Sequence, residues 1–224
     1  MSNTKPASQQ LLIVFAKAPV EAQCKTRLIP LLGESGATEF YKDLLQHCLH
    51  TVSRLEHTDI ALYVTPHTQH PLLQKLAANY STALQLQRGK DLGERMQHAM
   101  QQELQTYQRV VLIGSDCPGI TPDYLEQAFA ALQYSDLVIG PATDGGYVLI
   151  GGQRISPAIF ANTHWGSDQV LKQCLCNIHD AGYSHQSLPP QQDIDTPEDF
   201  LQNQLQLQTL LGKTYPHSSH HHLT

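Results

Sequence analysis

Short apolar runs alternate along this chain with longer segments whose apolar residues recur every third or fourth position, and few folds accommodate that alternation. The clearest run is residues 109–114, Arg-Val-Val-Leu-Ile-Gly, which suits a strand buried on both faces. Residues 11–16, 59–65, 83–87, 136–140 and 146–151 read as further strands. Between them lie helical stripes. One runs over residues 35–55 through Ala37, Phe40, Tyr41, Leu44, Leu45, Cys48, Leu49, Val52 and Leu55. Others cover residues 71–79, Leu92 to Tyr107, Leu125 to Leu132 and Val170 to Ile178. Thr121-Pro122 and Thr196-Pro197 each place a capping hydroxyl before a proline at the first helical position, and the second opens a helix reaching about residue 211. Such an order predicts an α/β fold with a largely parallel sheet and helices on both faces. No repeat or linker divides it, so one domain is expected over residues 11–212. Residues 1–10 are expected to form a flexible segment. Residues 213–224, polar and containing His217, His220, His221 and His222, are expected to form a disordered tail.

Composition removes several classes of function. Twenty acidic side chains against fourteen basic ones give a net charge of −6, which argues against sequence-independent nucleic-acid binding, because neutralising phosphates needs a basic face. No apolar run approaches the ~18 residues of a membrane span, and the polar first ten residues do not resemble a signal peptide. A cytoplasmic location is expected. The five cysteines are odd in number and scattered, as expected of reduced thiols rather than a disulfide framework.

In an open parallel sheet, ligands bind beyond the carboxyl ends of the strands. The polar residues that follow the apolar runs are therefore the candidates. Lys17, Lys25 and Arg27 follow the first strand; Ser115-Asp116-Cys117-Pro118 follows residues 109–114; Asp144-Gly145-Gly146-Tyr147 follows residues 136–140; and Asp193 and Asp195 precede the last helix. Carboxylates and cations at one rim can hold a diphosphate, through a divalent metal on the acidic side and directly on the basic side. Each residue alone has a plainer reading: Asp116 and Asp144 as turn formers, Asp193 and Asp195 as the approach to a helix cap, the cations as solvated surface. Tyr147 and Trp165 suit a stacking surface and core packing equally well.

Phe15-Ala16-Lys17-Ala18-Pro19 followed by Lys25-Thr26-Arg27-Leu28 resembles the opening signature of a bacterial family of GT-A-type glycosyltransferases. That family has long been carried as a domain of unknown function, and some members are labelled arsenosugar-biosynthesis glycosyltransferases. The likeness continues through Gln87-Arg88-Gly89, Asp91 to Met96, Gly114 to Pro118, Gly140 to Tyr147, Trp165-Gly166-Ser167 and Asp193 to Asp199, covering roughly residues 11 to 205. It implies a Rossmann-like nucleotide-diphospho-sugar transferase sandwich with nucleotide over the first strand. More distantly the chain is similar to molybdenum-cofactor and phospholactate guanylyltransferases. Two departures stand out. Glu21-Ala22-Gln23 occupies the place of the family's Pro-Gly-Arg, and Gly119 stands where relatives often carry an acidic residue.

On this resemblance the expected activity is metal-dependent transfer of a sugar from a nucleotide-diphospho-sugar to a small acceptor. Mg²⁺ or Mn²⁺ would be held by Asp116 with Asp195 and Asp193. The diphosphate would meet Lys17, Lys25, Arg27, Ser115, Gly145 and Gly146, with Asp144 as candidate base and Tyr147 and Trp165 as substrate contacts. Two alternatives stay open: a nucleotidyltransferase acting on a nucleoside triphosphate, disfavoured by the absence of glycine between Phe15 and Leu28, and a non-catalytic nucleotide-binding protein. The donor base, the sugar, the acceptor and the oligomeric state are not encoded in any spacing rule.

Overall fold

The computed structural model describes residues 9–216. Seven strands form one sheet: β1 (Gln10–Lys17), β2 (Thr58–Thr65), β3 (Ala83–Leu86), β4 (Arg109–Gly114), β5 (Leu137–Pro141), β6 (Tyr147–Gly152) and β7 (His185–Ser187), in the order β3-β2-β1-β4-β6-β5-β7. All neighbours are parallel except β6, which runs against both β4 and β5. The mostly parallel sheet agrees with the sequence reading, and its reversed strand β6 follows directly from the tight turn at residues 142–146.

The helices are α1 (Ile29–Val52), α2 (Pro71–Asn79), α3 (Leu92–Glu103), α4 (Pro122–Ala131), α5 (Val170–Asp180), α6 (Pro197–Gln202) and α7 (Gln204–Leu211). Alternation along β1 sends Leu12, Val14 and Ala16 into a core shared with α1, α2 and α4. Leu11, Ile13 and Phe15 enter the opposite core, beneath α3 and α5. Both faces of the central strands are thus buried, as a near-continuous apolar run requires.

Several boundaries differ from the sequence reading. Helix α1 starts earlier and kinks at Gly33, whose φ of 72° breaks the helical path and hides the first turn from a periodicity search. The single last helix is two, separated at Asn203, whose amide donates to the Asp199 carbonyl at 2.8 Å and to Gln192 Oε1 at 3.3 Å. Strand β7 was not expected at all. The supposed tail also begins later. Tyr215 is buried edge-on against Phe40 and Phe200, and its hydroxyl donates to Asp43 Oδ2 at 2.6 Å beside the Lys213–Asp43 ion pair. Aromatic burial therefore holds residues 213–216 in the domain. Gln10 likewise belongs to β1. Residues 1–8 and 217–224, including the four tail histidines, lie outside the described residues.

Candidate active-site cleft

Because β1 and β4 are parallel neighbours in register, with Phe15 opposite Gly114, the segments that leave them emerge side by side. The chain crosses here from one half of the sheet to the other, the position at which open α/β sheets form a ligand crevice. Lys17 leaves from β1, and Ser115 and Asp116 leave from β4.

The loop after β1 folds back on itself. Lys17 Nζ donates to the Gln23 carbonyl at 2.7 Å, and the Ala18 N–H donates to the Thr65 carbonyl at 2.7 Å. Ala22 and Lys25 both take left-handed backbone, with φ of 58° and 48°. Ala22 thus adopts the conformation for which glycine is suited while lacking that freedom. Tyr41 of α1 buttresses the loop from below: its hydroxyl accepts the Lys17 N–H at 2.7 Å, donates to the Lys17 carbonyl at 3.1 Å and lies 3.4 Å from Ser115 Oγ. Burial, with the nearby Asp116 charge, pushes the Tyr41 phenol well above its ordinary value, so it serves as a neutral strut.

The left-handed turn at Lys25 sends its side chain inward. Its ammonium lies 3.2 Å from Asp116 Oδ2 and 3.1 Å from Asp195 Oδ1, and its side chain is 2% exposed. Burial alone would lower the lysine pKa, but the Asp116 and Asp195 charges outweigh it and raise the value, keeping the ammonium charged. Arg27 Nη1 takes the other oxygen of Asp195 at 3.2 Å. The carboxylates are open on their far side, Asp116 40% and Asp195 44% exposed.

Asp195 is placed by the start of α6. Asp199 Oδ2 accepts the N–H groups of Asp195 and Thr196, while the Thr196 hydroxyl accepts the Asp199 N–H, a reciprocal cap. The Ile194 N–H donates to the Asp116 carbonyl at 3.2 Å, stitching this segment to the end of β4. Asp193 is off the cleft surface, although the charges of Asp144, Lys25 and Asp195 reach it. It lines neither half of the cleft described below, and burial followed by the Asp144 charge pushes its carboxyl up to about 6. The expected Asp116–Asp195–Asp193 trio is therefore a pair: among the described residues, no three His, Cys, Asp or Glu side chains are arranged to hold a metal ion.

The cleft has two halves that share Phe15, Arg27, Leu92, Gly114 and Asp195. The half above β1, about 460 Å³, is lined by four cations, Lys17, Lys25, Arg27 and Arg95, against the carboxylates of Asp116 and Asp195. In a chain of net charge −6, this local excess of positive charge favours an anion. The half above β4 and β6, about 270 Å³, is walled mainly by apolar and aromatic side chains, including Met96, Tyr147 and Trp165.

Asp144 reaches this second half, and its Oδ1 accepts the Gly146 N–H at 2.9 Å, so it both shapes the turn and faces the cleft. Gly145 serves packing. With φ of +91°, it sits so close to the Asp168 backbone that an added Cβ would fall 2.8 Å from Asp168 Cα and C. Gly145 lines neither half, and Gly146 lines the apolar half, away from the Lys17–Lys25 cations. The pairing of both glycines with the diphosphate cations expected from the sequence is not found. The physical reason is the turn they build, which leads into β6 on the far side of β4. Tyr147 and Trp165 meet edge to face with centroids 6.4 Å apart, in the cleft wall as well as in the packed core beneath it.

Sequence reasoning missed four residues here. Tyr41 shows in the sequence only as part of an apolar stripe. Gln87 ties the ends of two strands together, donating to the carbonyls of Ala16 at 3.0 Å and Tyr63 at 2.9 Å. Arg95 lines the cationic half with its Nε on the Gly89 carbonyl at 3.2 Å, and Leu92 lines both halves while 45% exposed. Gln87, Leu92 and Arg95 lie within the family-like blocks, which is the available signal.

The strand order, the single reversed strand and a cleft over β1 and β4 define a nucleotide-diphospho-sugar transferase-like fold. The chain belongs to the family described as uncharacterized proteins conserved in bacteria (DUF2064), whose model matches residues 48–167. A protein of Desulfovibrio desulfuricans G20, provisionally named a nucleotide-diphospho-sugar transferase, is 30% identical, with a TM-score of 0.78 over 91% of this chain and 98% of its own. The 4-diphosphocytidyl-2C-methyl-D-erythritol synthase of Anaerococcus prevotii DSM 20548 shares the fold at 13% identity, with a TM-score of 0.60 over 89% of this chain and 97% of that one. So does a CMP:2-keto-3-deoxy-manno-octonic acid synthetase complexed with CTP, at 10% identity and a TM-score of 0.56 over 90% and 99% of the two chains. No curated protein matches the chain. Among the described residues no helix is long and apolar enough to cross a membrane.

Proposed function

We propose that this protein transfers a sugar from a nucleotide-diphospho-sugar donor to a small acceptor. The observation that carries this reading is the division of one cleft by charge, with Arg27 and Asp195 on the boundary between the cation-rich and apolar halves. The donor diphosphate lies against Lys17, Lys25, Arg27 and Arg95, and the acceptor enters beside Asp144. The acceptor hydroxyl oxygen attacks the anomeric carbon as the bond from that carbon to the diphosphate breaks. The electron pair leaves with the nucleoside diphosphate, and the hydroxyl proton passes to Asp144.

Asp116 and Asp195 suit Mg²⁺ or Mn²⁺. Lys25 and Arg27 already face both Asp195 oxygens and Asp116 Oδ2, so Asp116 Oδ1, with only the Ser115 hydroxyl on it, is the oxygen with no cation against it, and Mg²⁺ is commonly held by one or two carboxylates together with substrate phosphates. An ion bound there would supply Lewis-acid stabilisation to the departing diphosphate. The cations then stabilise charge that grows as the bond breaks, the direction in which fixed positive groups accelerate a reaction.

A second reading, nucleotidyl transfer from a nucleoside triphosphate with release of pyrophosphate, draws support from one feature. The glycine-free first loop still holds left-handed backbone at Ala22 and Lys25, so its shape does not require glycine. Fold relatives named as cytidylyltransferases fit this reading too. Incubation with nucleotide sugars and, separately, with nucleoside triphosphates, each with Mn²⁺, distinguishes them. Free nucleoside diphosphate with transferred sugar supports sugar transfer. Pyrophosphate release from a triphosphate supports the second reading, and tight nucleotide binding without turnover supports a non-catalytic nucleotide-binding protein.

A further inference from the structure

We infer that the apolar half of the cleft selects a one-ring acceptor with an apolar body and a hydroxyl or amine nucleophile, and that it excludes polyols and anions. The inference names the acceptor class within the transfer reading and rests on that reading for the word acceptor; the binding preference itself does not.

Size comes first. At about 270 Å³ the space falls near the ~300 Å³ at which pockets for drug-sized ligands begin, so it takes a single ring with a short substituent rather than a chain of sugars. The walls come second. Leu92, Met96, Tyr147, Trp165 and Val170 offer carbon and sulfur surface. The Tyr147 hydroxyl points to the Met96 sulfur at 3.8 Å, so even this polar atom is directed into the wall. Polar side chains reach this half from Arg27, Asp144, Ser167 and Asp195, but polyol hydroxyls turned toward Leu92, Met96 and Val170 would lose water without replacing its hydrogen bonds.

Leu92 is the third observation. It begins α3 and is 45% exposed on the rim shared by both halves, where a large aliphatic side chain gains burial only when something apolar covers it. Trp165 is held in position across from it because residue 93 is glycine; a Cβ there would fall 2.5 Å from Trp165 Cζ2.

Charge supplies the fourth. Asp144 and Asp195 face this half against one lining cation, Arg27; Asp195 is paired with both Arg27 and Lys25, which leaves Asp144 as the carboxylate with no cation against it. A carboxylate or phosphate on the acceptor would meet net negative charge, whereas a hydroxyl or ammonium finds the Asp144 carboxylate as its hydrogen-bond acceptor.

Trp165 is the one tryptophan in the sequence and lines this half, so its fluorescence reports occupancy directly. The full chain is titrated with 2-phenylethanol, phenylacetate and D-glucose. The expected result is a saturable emission change with 2-phenylethanol in the millimolar range, at least tenfold weaker binding of phenylacetate, and no saturable response to glucose. Leu92→Ser, at a solvent-exposed position, is expected to weaken 2-phenylethanol at least threefold, and Asp144→Asn to strengthen phenylacetate at least threefold. Saturable glucose binding without 2-phenylethanol binding overturns the inference, as does phenylacetate binding as tightly as the alcohol. A parallel calorimetric titration with nucleoside diphosphates separates the two claims: 2-phenylethanol binding with no nucleotide binding upholds this preference and removes the transfer reading.

Discussion

Lys25 and Asp195 stand 170 positions apart in the chain, yet the lysine ammonium lies 3.1 Å from the Asp195 carboxylate, with Asp116 completing the contact from β4. This junction lines the cationic half of the cleft. It brings together the loop after β1, the end of β4 and the approach to α6, three segments with no sequence proximity. The lysine is buried and the carboxylates face the opening, so the pair fixes where the anionic and cationic surfaces of the cleft meet.

Replacing Lys25 by Met tests that role. Breaking a fully buried ion pair from one side costs about 3–5 kcal/mol. Here Asp116 and Asp195 are already two-fifths exposed and regain water, so a loss of about 1–2 kcal/mol is expected. Thermal denaturation should show Tm lowered by about 2–8 °C, together with at least tenfold weaker nucleotide binding. Unchanged nucleotide affinity in a folded Lys25→Met protein contradicts the assignment.

Ala22 holds a left-handed backbone at φ 58°, which costs an L-residue roughly 1–2 kcal/mol. Ala22→Gly removes this strain but adds freedom to the unfolded chain. A net gain of about 0.5–1 kcal/mol is expected in urea denaturation. A destabilised variant would show that the loop does not depend on this conformation.

The two glycines after Asp144 should part company. Gly145→Ala must either leave φ of +91° or press against the Asp168 backbone, so a loss of about 2 kcal/mol or more is expected. At Gly146 the nearest obstacle is the movable Asp144 Oδ1 at 3.2 Å, and alanine is expected to cost under about 1 kcal/mol. Equal losses in the two variants would remove the distinction between a packing glycine and a cleft glycine.

Asp193 gives a pH signature. Burial and the Asp144 charge raise its carboxyl to about 6 in the folded state, above the ~3.9 of an unfolded chain. The folded protein therefore holds this proton more firmly, and its contribution to stability is present below about pH 4 and lost as pH rises through 6. Asp193→Asn removes the ionisation. A gain of about 1–2 kcal/mol is expected at pH 7.5 and a change within about 0.5 kcal/mol at pH 4. A gain of the same size at both pH values would place its origin in packing instead.

What the sequence disclosed follows from where burial controls the pattern. Residues 109–114 are buried on both faces, and the apolar run matched β4 end for end. Thr121 and Thr196 acted as caps because a hydroxyl before proline has few other uses at a helix start. Strand β7 was silent for the opposite reason: His185, Gln186 and Ser187 are exposed at the sheet edge, and backbone pairing with β5 alone defines them. The meeting of Lys25, Asp116 and Asp195 was legible as polar residues that follow two apolar runs or precede a helix cap. That Asp195 lines the cleft and Asp193 does not was hidden, because the irregular segment before α6 has no periodicity to fix which way each side chain turns. Tyr41 was hidden for a related reason: its ring belongs to the apolar stripe of α1, while its hydroxyl supports the site.

On the proposed function, the Lys25–Asp116–Asp195 junction receives a metal-chelated diphosphate. Thermal unfolding of the wild type and of Asp116→Ala with UDP, GDP, ADP and dTDP, each with and without Mn²⁺, tests it most directly. At least one nucleotide should raise the wild-type Tm by several degrees more with Mn²⁺ than without, and Asp116→Ala should lose that metal-dependent increment. An increment retained in full by Asp116→Ala, or no nucleotide response in the wild type, would contradict the account.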